Sequence, residues 1–148
     1  QYPNGTAAGE ARFRLARVFI QAKNNKAALE QLALVAADEE ALPFTRGRAI
    51  LDAGYLYEND GKQKEALAQY EKAAADLRLP EDARLEGYYA AGRIQLQLKD
   101  FAKARTAFKQ AASGTVRSQG GFFWSSQARA ALNRMPAEKA PAAKTEKK

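Results

Sequence analysis

The sequence predicts an all-α fold: a right-handed α-solenoid of three helix hairpins with a 38-residue period, closed by a C-terminal capping helix. Three observations carry this. Ala, Leu, Glu, Lys, Arg and Gln dominate, while β-branched residues are sparse and never alternate, so the composition favours helix over strand. The stretch GKQKEALAQYEKAA (61–74) is echoed by KDFAKARTAFKQAA (99–112) and, more faintly, by KNNKAALEQLALVA (23–36). The echo keeps register: Ala28, Ala66 and Ala104 lie 38 residues apart, as do Leu32, Tyr70 and Phe108, and Ala16, Gly54 and Gly92.

Each unit divides into two helices. The second, helix B, carries apolar residues at i, i+4 and i+7, as in Ala66, Tyr70 and Ala73, which is the stripe of an amphipathic helix. The first, helix A, opens on a proline in units two and three. In LPEDARLEGYYAAGRIQLQL (79–98), Pro80 stands at a helix start with Glu81 and Asp82 behind it, where acidic side chains favour the positive end of the helix dipole. Short links at Asn24-Asn25, Asn59-Asp60-Gly61 and Lys99-Asp100 require A and B to be antiparallel neighbours. The expected A helices span 7–22, 43–59 and 80–98, the B helices 25–38, 62–77 and 100–113, and a last helix 122–135. The small residues Ala16, Gly54 and Gly92 are expected to face the Ala of helix B where the two helices approach. Phe122, Phe123 and Trp124 are expected to cover the end of unit three. One solenoid domain, 1–136, is followed by an Ala/Pro/Lys tail, 137–148, whose composition can bury nothing and predicts disorder.

A small residue, an aromatic three or four positions later, then Ala, a large apolar residue and Ala at fixed offsets resembles the tetratricopeptide repeat. Tyr57, Ala66, Tyr70 and Ala73 match best. The resemblance spans about residues 6–113. The period is 38 instead of 34, and the tryptophan position holds Arg12, Ile50 and Tyr88; longer A helices would absorb the extra residues.

Composition narrows the chemistry. The chain has no cysteine and no histidine, which removes disulfides, thiolate nucleophiles, the usual zinc ligands and the commonest general base. No nucleophile–base pair, phosphate loop or metal cluster appears, so neither an enzyme nor a cofactor or metal is expected. Of the 24 basic and 17 acidic residues, four Lys and two Glu fall in the tail, and the remainder are interspersed along the helices. That is not the concentrated basic stripe of a nucleic-acid binder. No apolar run reaches the roughly 18 to 20 residues of a membrane span.

In the family that the repeat resembles, stacked A helices line a concave groove. The positions that point into it are here Phe13, Arg17 and Gln21 in unit one, Leu51, Asp52, Tyr55, Glu58 and Asn59 in unit two, and Glu86, Tyr89, Arg93 and Gln97 in unit three. Of these, Phe13, Arg17, Leu51, Asp52, Tyr55, Glu58, Tyr89, Arg93 and Gln97 form the candidate site for an extended or helical protein segment. Tyr and Arg are the usual hot spots of such surfaces, so Tyr55 and Arg93 are expected to contribute to binding and little to the melting temperature. The Lys/Asn clamp with which some members grip a C-terminal carboxylate is absent, because Phe13, Arg17, Asp52, Glu86 and Ala90 stand there. Self-association into a homo-oligomer, through the exposed ends or the Phe122–Trp124 region, is the other reading of the same architecture.

The segments YPNGTAAGEARFRLARVFI and LPEDARLEGYYAAGRIQLQL resemble repeats of bacterial envelope tetratricopeptide proteins, such as an outer-membrane-assembly lipoprotein, the Tol-Pal coordinator and a membrane-anchored translocon partner. That resemblance implies a periplasmic or envelope-tethered scaffold with its anchor upstream of Gln1; a cytoplasmic location is the alternative.

Overall fold

A computed structural model describes residues 4–114 and 118–137. Among these, every regular element is a helix: α1 (Asn4–Gln21), α2 (Asn25–Ala37), α3 (Pro43–Asn59), α4 (Gln63–Ala75), α5 (Glu81–Gln97), α6 (Phe101–Ala112) and α7 (Gln119–Arg134). The pairs α1/α2, α3/α4 and α5/α6 are the three expected hairpins, and every expected boundary lies within three residues of the observed one. Pro43 is the first residue of α3, whereas Pro80 is the N-cap of α5 and not its first turn. The tail expected to be disordered lies, apart from Ala137, outside the described residues.

The turn from A to B is the same in each unit. Lys23 (φ 58°), Gly61 (φ 74°) and Lys99 (φ 63°), one period apart, adopt the left-handed conformation. The next amide donates back to the carbonyl five residues earlier: Asn24 to Phe19 at 2.8 Å, Lys62 to Tyr57 at 2.8 Å and Asp100 to Gln95 at 2.9 Å. This C-cap satisfies carbonyls that the end of helix A leaves unpaired. Asn24 and Asp100 then cap helix B, their side chains accepting from the amides of Ala27 and Lys103.

Consecutive A helices lie close along the array, α1 to α3 to α5 to α7, whereas the backbones of the described B helices α2, α4 and α6 stay farther apart. The A helices therefore line the concave side and the B helices fan out on the convex side. Each hairpin closes on a fitted pair at the same register. A methyl built on Gly54 would come within 2.5 Å of the Tyr70 ring, and one on Gly92 within 2.8 Å of Phe108. These glycines thus face the aromatic of helix B and not its alanine, which corrects the expectation: the ring occupies the space that a side chain on helix A would need. Unit one resolves the same contact with a smaller partner, Ala16 sharing its buried cluster with Leu32.

Helix α7 starts one period after α5 and packs on both α5 and α6, so it stands where the helix A of a fourth unit would stand. Its N-cap is Ser118, whose hydroxyl oxygen accepts from the Gly121 amide, and Ser125 donates to the Ala112 carbonyl at the end of α6 (3.1 Å). The aromatic cap is partly as expected. Trp124 lies 5.5 Å from the Tyr89 ring and Phe123 packs edge-on against Trp124, but Phe122 is exposed, as is much of Phe123. At the opposite end Leu15 and Val18 are exposed, although their counterparts Ala53 and Leu56, and Ala91 and Ile94, are buried under the preceding helix B.

Candidate functional site: the concave face

The concave face divides into two halves of different character. Between α3 and α5 it is closed by an ionic network. Arg48 reaches across with both terminal nitrogens to Glu86, each 3.1 Å from a carboxylate oxygen, while its Nε donates to Asp52 at 2.9 Å, one helical turn on. The Tyr55 hydroxyl donates to the same Glu86 (2.8 Å). One further turn along, Arg93 of α5 forks onto Glu58, which also accepts from the Tyr70 hydroxyl at 2.8 Å. The pairs Arg48/Glu86 and Glu58/Arg93 are 38 and 35 residues apart, offsets at which neighbouring A helices meet.

The electrostatics follow from the pairing. Burial opposes the charge of Arg48, but its hydrogen bonds to Glu86 and the fields of Asp52 and Glu86 outweigh this and hold its pKa above the ordinary arginine value. Hydrogen bonds to Glu58 do the same for Arg93, and their counterpart holds the Glu58 carboxyl below the ordinary glutamate range. Burial raises the hydroxyl pKa of Tyr55, helped by the Glu86 charge, and that of Tyr70, helped by its bond to Glu58. Both remain protonated donors at neutral pH. Burial also raises Asp52 despite the neighbouring Arg48.

Between α1 and α3 the concave face is open. A cavity of about 290 Å³ is lined by Arg17, Ile20 and Gln21 of α1 and by Asp52, Tyr55, Leu56 and Asn59 of α3. Arg17 is exposed and has neither a hydrogen bond nor an ion pair among the described residues, so its cation faces the cavity with only the field of Asp52 nearby.

Of the expected groove residues, Arg17, Asp52 and Tyr55 therefore come together at the open half, with Phe13 half-buried behind it against the unit-one core. Five others are placed differently. Leu51 is 1% exposed and belongs to the core, in a cluster that joins α3 and α4 of its own unit to Ala90, Ala91 and Ile94 of α5. Tyr89 packs between Phe108 (5.7 Å) and Trp124 (5.5 Å), since α7 extends the stack over that position. Gln97 accepts from Gln63 at the start of α4 (3.1 Å), away from the network. Glu58 and Arg93 neutralise each other, and Tyr55 is held by Glu86, so removing Tyr55 or Arg93 disturbs the stack as well as the surface. The hub, Arg48, was not among the expected residues; its signal was present in Asp52 four residues on and Glu86 one full period on.

Two segments, residues 47–75 and 85–113, match the family model of the tetratricopeptide repeat. They fall on helix pairs α3/α4 and α5/α6, so these two hairpins carry tetratricopeptide repeats, a non-catalytic fold that generally mediates interaction between proteins. No curated protein and no solved structure matches the chain.

Proposed function

We propose that this chain is a non-enzymatic scaffold whose concave face receives an extended or helical segment of a protein partner, and that it works in the bacterial envelope, in assembly or protein targeting. The observation that carries the reading is the open cavity between α1 and α3, where the unpaired Arg17 cation, the Gln21 and Asn59 amides and the Tyr55 ring converge. A segment bearing one carboxylate beside an apolar residue satisfies Arg17 and covers Tyr55 and Ile20, while Asp52 opposes a uniformly acidic ligand. The half between α3 and α5 supplies rigidity and offers no free charge to a ligand. The envelope placement is supported by the likeness of the A helices to those of envelope repeat proteins.

A photo-crosslinker at Gln21 or Asn59 in the native host should capture the partner, and one at Lys109 on the opposite side should not. Arg17→Glu should then weaken the captured interaction tenfold or more with little change in melting temperature, because Arg17 makes no hydrogen bond or ion pair among the described residues. Undiminished binding by Arg17→Glu with Gln21→Ala would move the site elsewhere. Cell fractionation of the host tests the compartment. Self-association is a second reading, favoured by Leu15 and Val18 exposed at one end of the stack and Phe122 and Phe123 at the other. Light scattering over a range of concentrations, with Val18→Asp as control, decides it.

A further inference from the structure

We propose that the convex groove between α4 and α6 is an insertion pocket for a tyrosine side chain presented by a protein partner. The groove holds a cavity of about 350 Å³, floored by Tyr88, Ala91 and Gln95 of α5 and walled by α4 and α6. What fits it can be read from the preceding groove of the same molecule, between α2 and α4, because the two are related by one period. Positions 19, 57 and 95 hold Phe19, Tyr57 and Gln95. In the α2/α4 groove Tyr57 lies among Ala36, Ala53, Gln69 and Lys72, and a cavity of only about 100 Å³ remains there. A separate depression of about 530 Å³ lies on another side of Tyr57, lined by Lys26, Leu29, Glu30 and Ala33 of α2 and by Asp60 and Lys62 of the turn after α3.

One unit later two of the small wall residues are kept, Ala74 for Ala36 and Ala91 for Ala53, but Gln95 replaces the tyrosine, Ala107 replaces Gln69, and Tyr88 and Glu71 stand for Ile50 and Ala33. The groove lacks the ring that Tyr57 supplies at the equivalent position and stands open there.

A polar atom agrees with the shape. Gln95 is 6% exposed, and its amide nitrogen donates to Glu71 Oε1 (3.2 Å), which fixes the orientation of the amide. Its Oε1 is then a buried acceptor with no partner. Leaving such an acceptor unpaired is unfavourable, and a donor brought in on an apolar body relieves it. A phenol provides both, as Tyr57 provides the ring one unit earlier, and aromatic residues with a polar end are the usual anchors of protein interfaces. Glu71 and Lys103, one on each wall, offer opposite charges to the partner's flanking chain. The pocket lies on the face opposite the Arg17 cavity, so it stands or falls independently of the concave reading.

The probe is p-cresol, the tyrosine side chain itself, titrated into the whole chain while alanine methyl resonances are followed by NMR. Saturable shifts are expected at Ala74, Ala91 and Ala107, with a dissociation constant in the millimolar range. Toluene, which lacks the donor, should bind several-fold more weakly. Gln95→Tyr should fill the groove as Tyr57 fills its counterpart, melt no lower than wild type and abolish the shifts; Ala107→Gln, which restores the residue found at position 69, should do the same and stands in if Gln95→Tyr misfolds. Shifts that fail to saturate, that fall elsewhere, or that persist in the filled variants overturn the proposal, as does equal affinity for toluene.

Discussion

The two junctions between repeats share a backbone period and are closed on opposite faces. Between units one and two, the concave side holds, among the described residues, one side-chain bond between α1 and α3, Thr45 to Glu10, beside an open cavity, while Tyr57 occupies the convex groove. Between units two and three, Arg48, Tyr55 and Glu86 with Arg93 and Glu58 close the concave side, and the convex groove stands open. Each junction thus keeps one surface for cohesion and leaves the other free for a ligand. In a linear stack this is a physical economy: every unit touches only its neighbours, so each interface must hold by itself, but it need hold on one side only.

The largest expected effect tests that division. Arg48→Ala leaves Glu86, 7% exposed, with a tyrosine hydroxyl but no cation. Removing one partner of such a pair should cost about 3 kcal/mol, read by urea unfolding. Thr45→Val at the other junction loses one hydrogen bond and should cost about 1 kcal/mol. Equal losses would break the contrast. Replacing both charges, Arg48→Met with Glu86→Leu, should recover only part of the loss, because the Glu86 charge is gone but Asp52 keeps its carboxylate without Arg48 and the Tyr55 hydroxyl loses its acceptor.

Next comes the closure within each hairpin. Gly54→Ala drives a methyl into the Tyr70 ring and should cost about 2 kcal/mol by overpacking. Adding Tyr70→Leu reproduces the Ala16/Leu32 pair of unit one and should restore part of the loss, less the bond that the Tyr70 hydroxyl gives Glu58. A double mutant no better than the single one would mean that the pairs are not interchangeable between units.

These two cases also divide what could be read in the sequence. The Gly54/Tyr70 and Gly92/Phe108 pairs were visible as positions, since a recurring small residue and a recurring large one in phase announce a close helix contact. The partner of each was not, because neighbouring positions on helix B differ by a rotation that spacing alone leaves undetermined. The groove was harder. Inward positions taken helix by helix make Arg93 and Glu58 separate ligand contacts, whereas the offset between adjacent A helices brings them onto each other. Tyr89 was lost to the groove because α7 continues the register and covers it. The Arg48/Glu86 pair was within reach, lying one period apart with opposite charges.

Acid should act on the two junctions unequally. Hydrogen bonds from Arg93 depress the Glu58 pKa, so its contribution is present above its unfolded value of 4.5 and is lost as the pH falls through the lower folded value. Asp52, raised by burial, has the opposite sign and gains slightly on protonation. Glu58→Gln should therefore cost about 1.5 kcal/mol at pH 7, the worth of a charged hydrogen bond, and the gap to wild type should narrow only below about pH 4.5. A gap that stays constant down to pH 2 would remove Glu58 as the titrating member of the clamp.

The smallest expected effect is one on which the junctions should not differ. The A-to-B turn places Lys23, Gly61 and Lys99 at the same left-handed angle, although only Gly61 reaches it without a Cβ penalty. A lysine there is strained by about 1 kcal/mol, partly offset because glycine has more freedom to lose on folding. Lys23→Gly and Lys99→Gly should each raise stability by about 0.5 kcal/mol, and Gly61→Lys should lower it by a similar amount. Both lysines are exposed, so no side-chain contact complicates the reading. If the two substitutions give the same increment, the turn is a property of the repeat, and the contrast between junctions belongs to their side chains. A gain at Lys99 without one at Lys23 would mean instead that the closed concave face strains the backbone that carries it, which would place part of the difference between the junctions in the main chain.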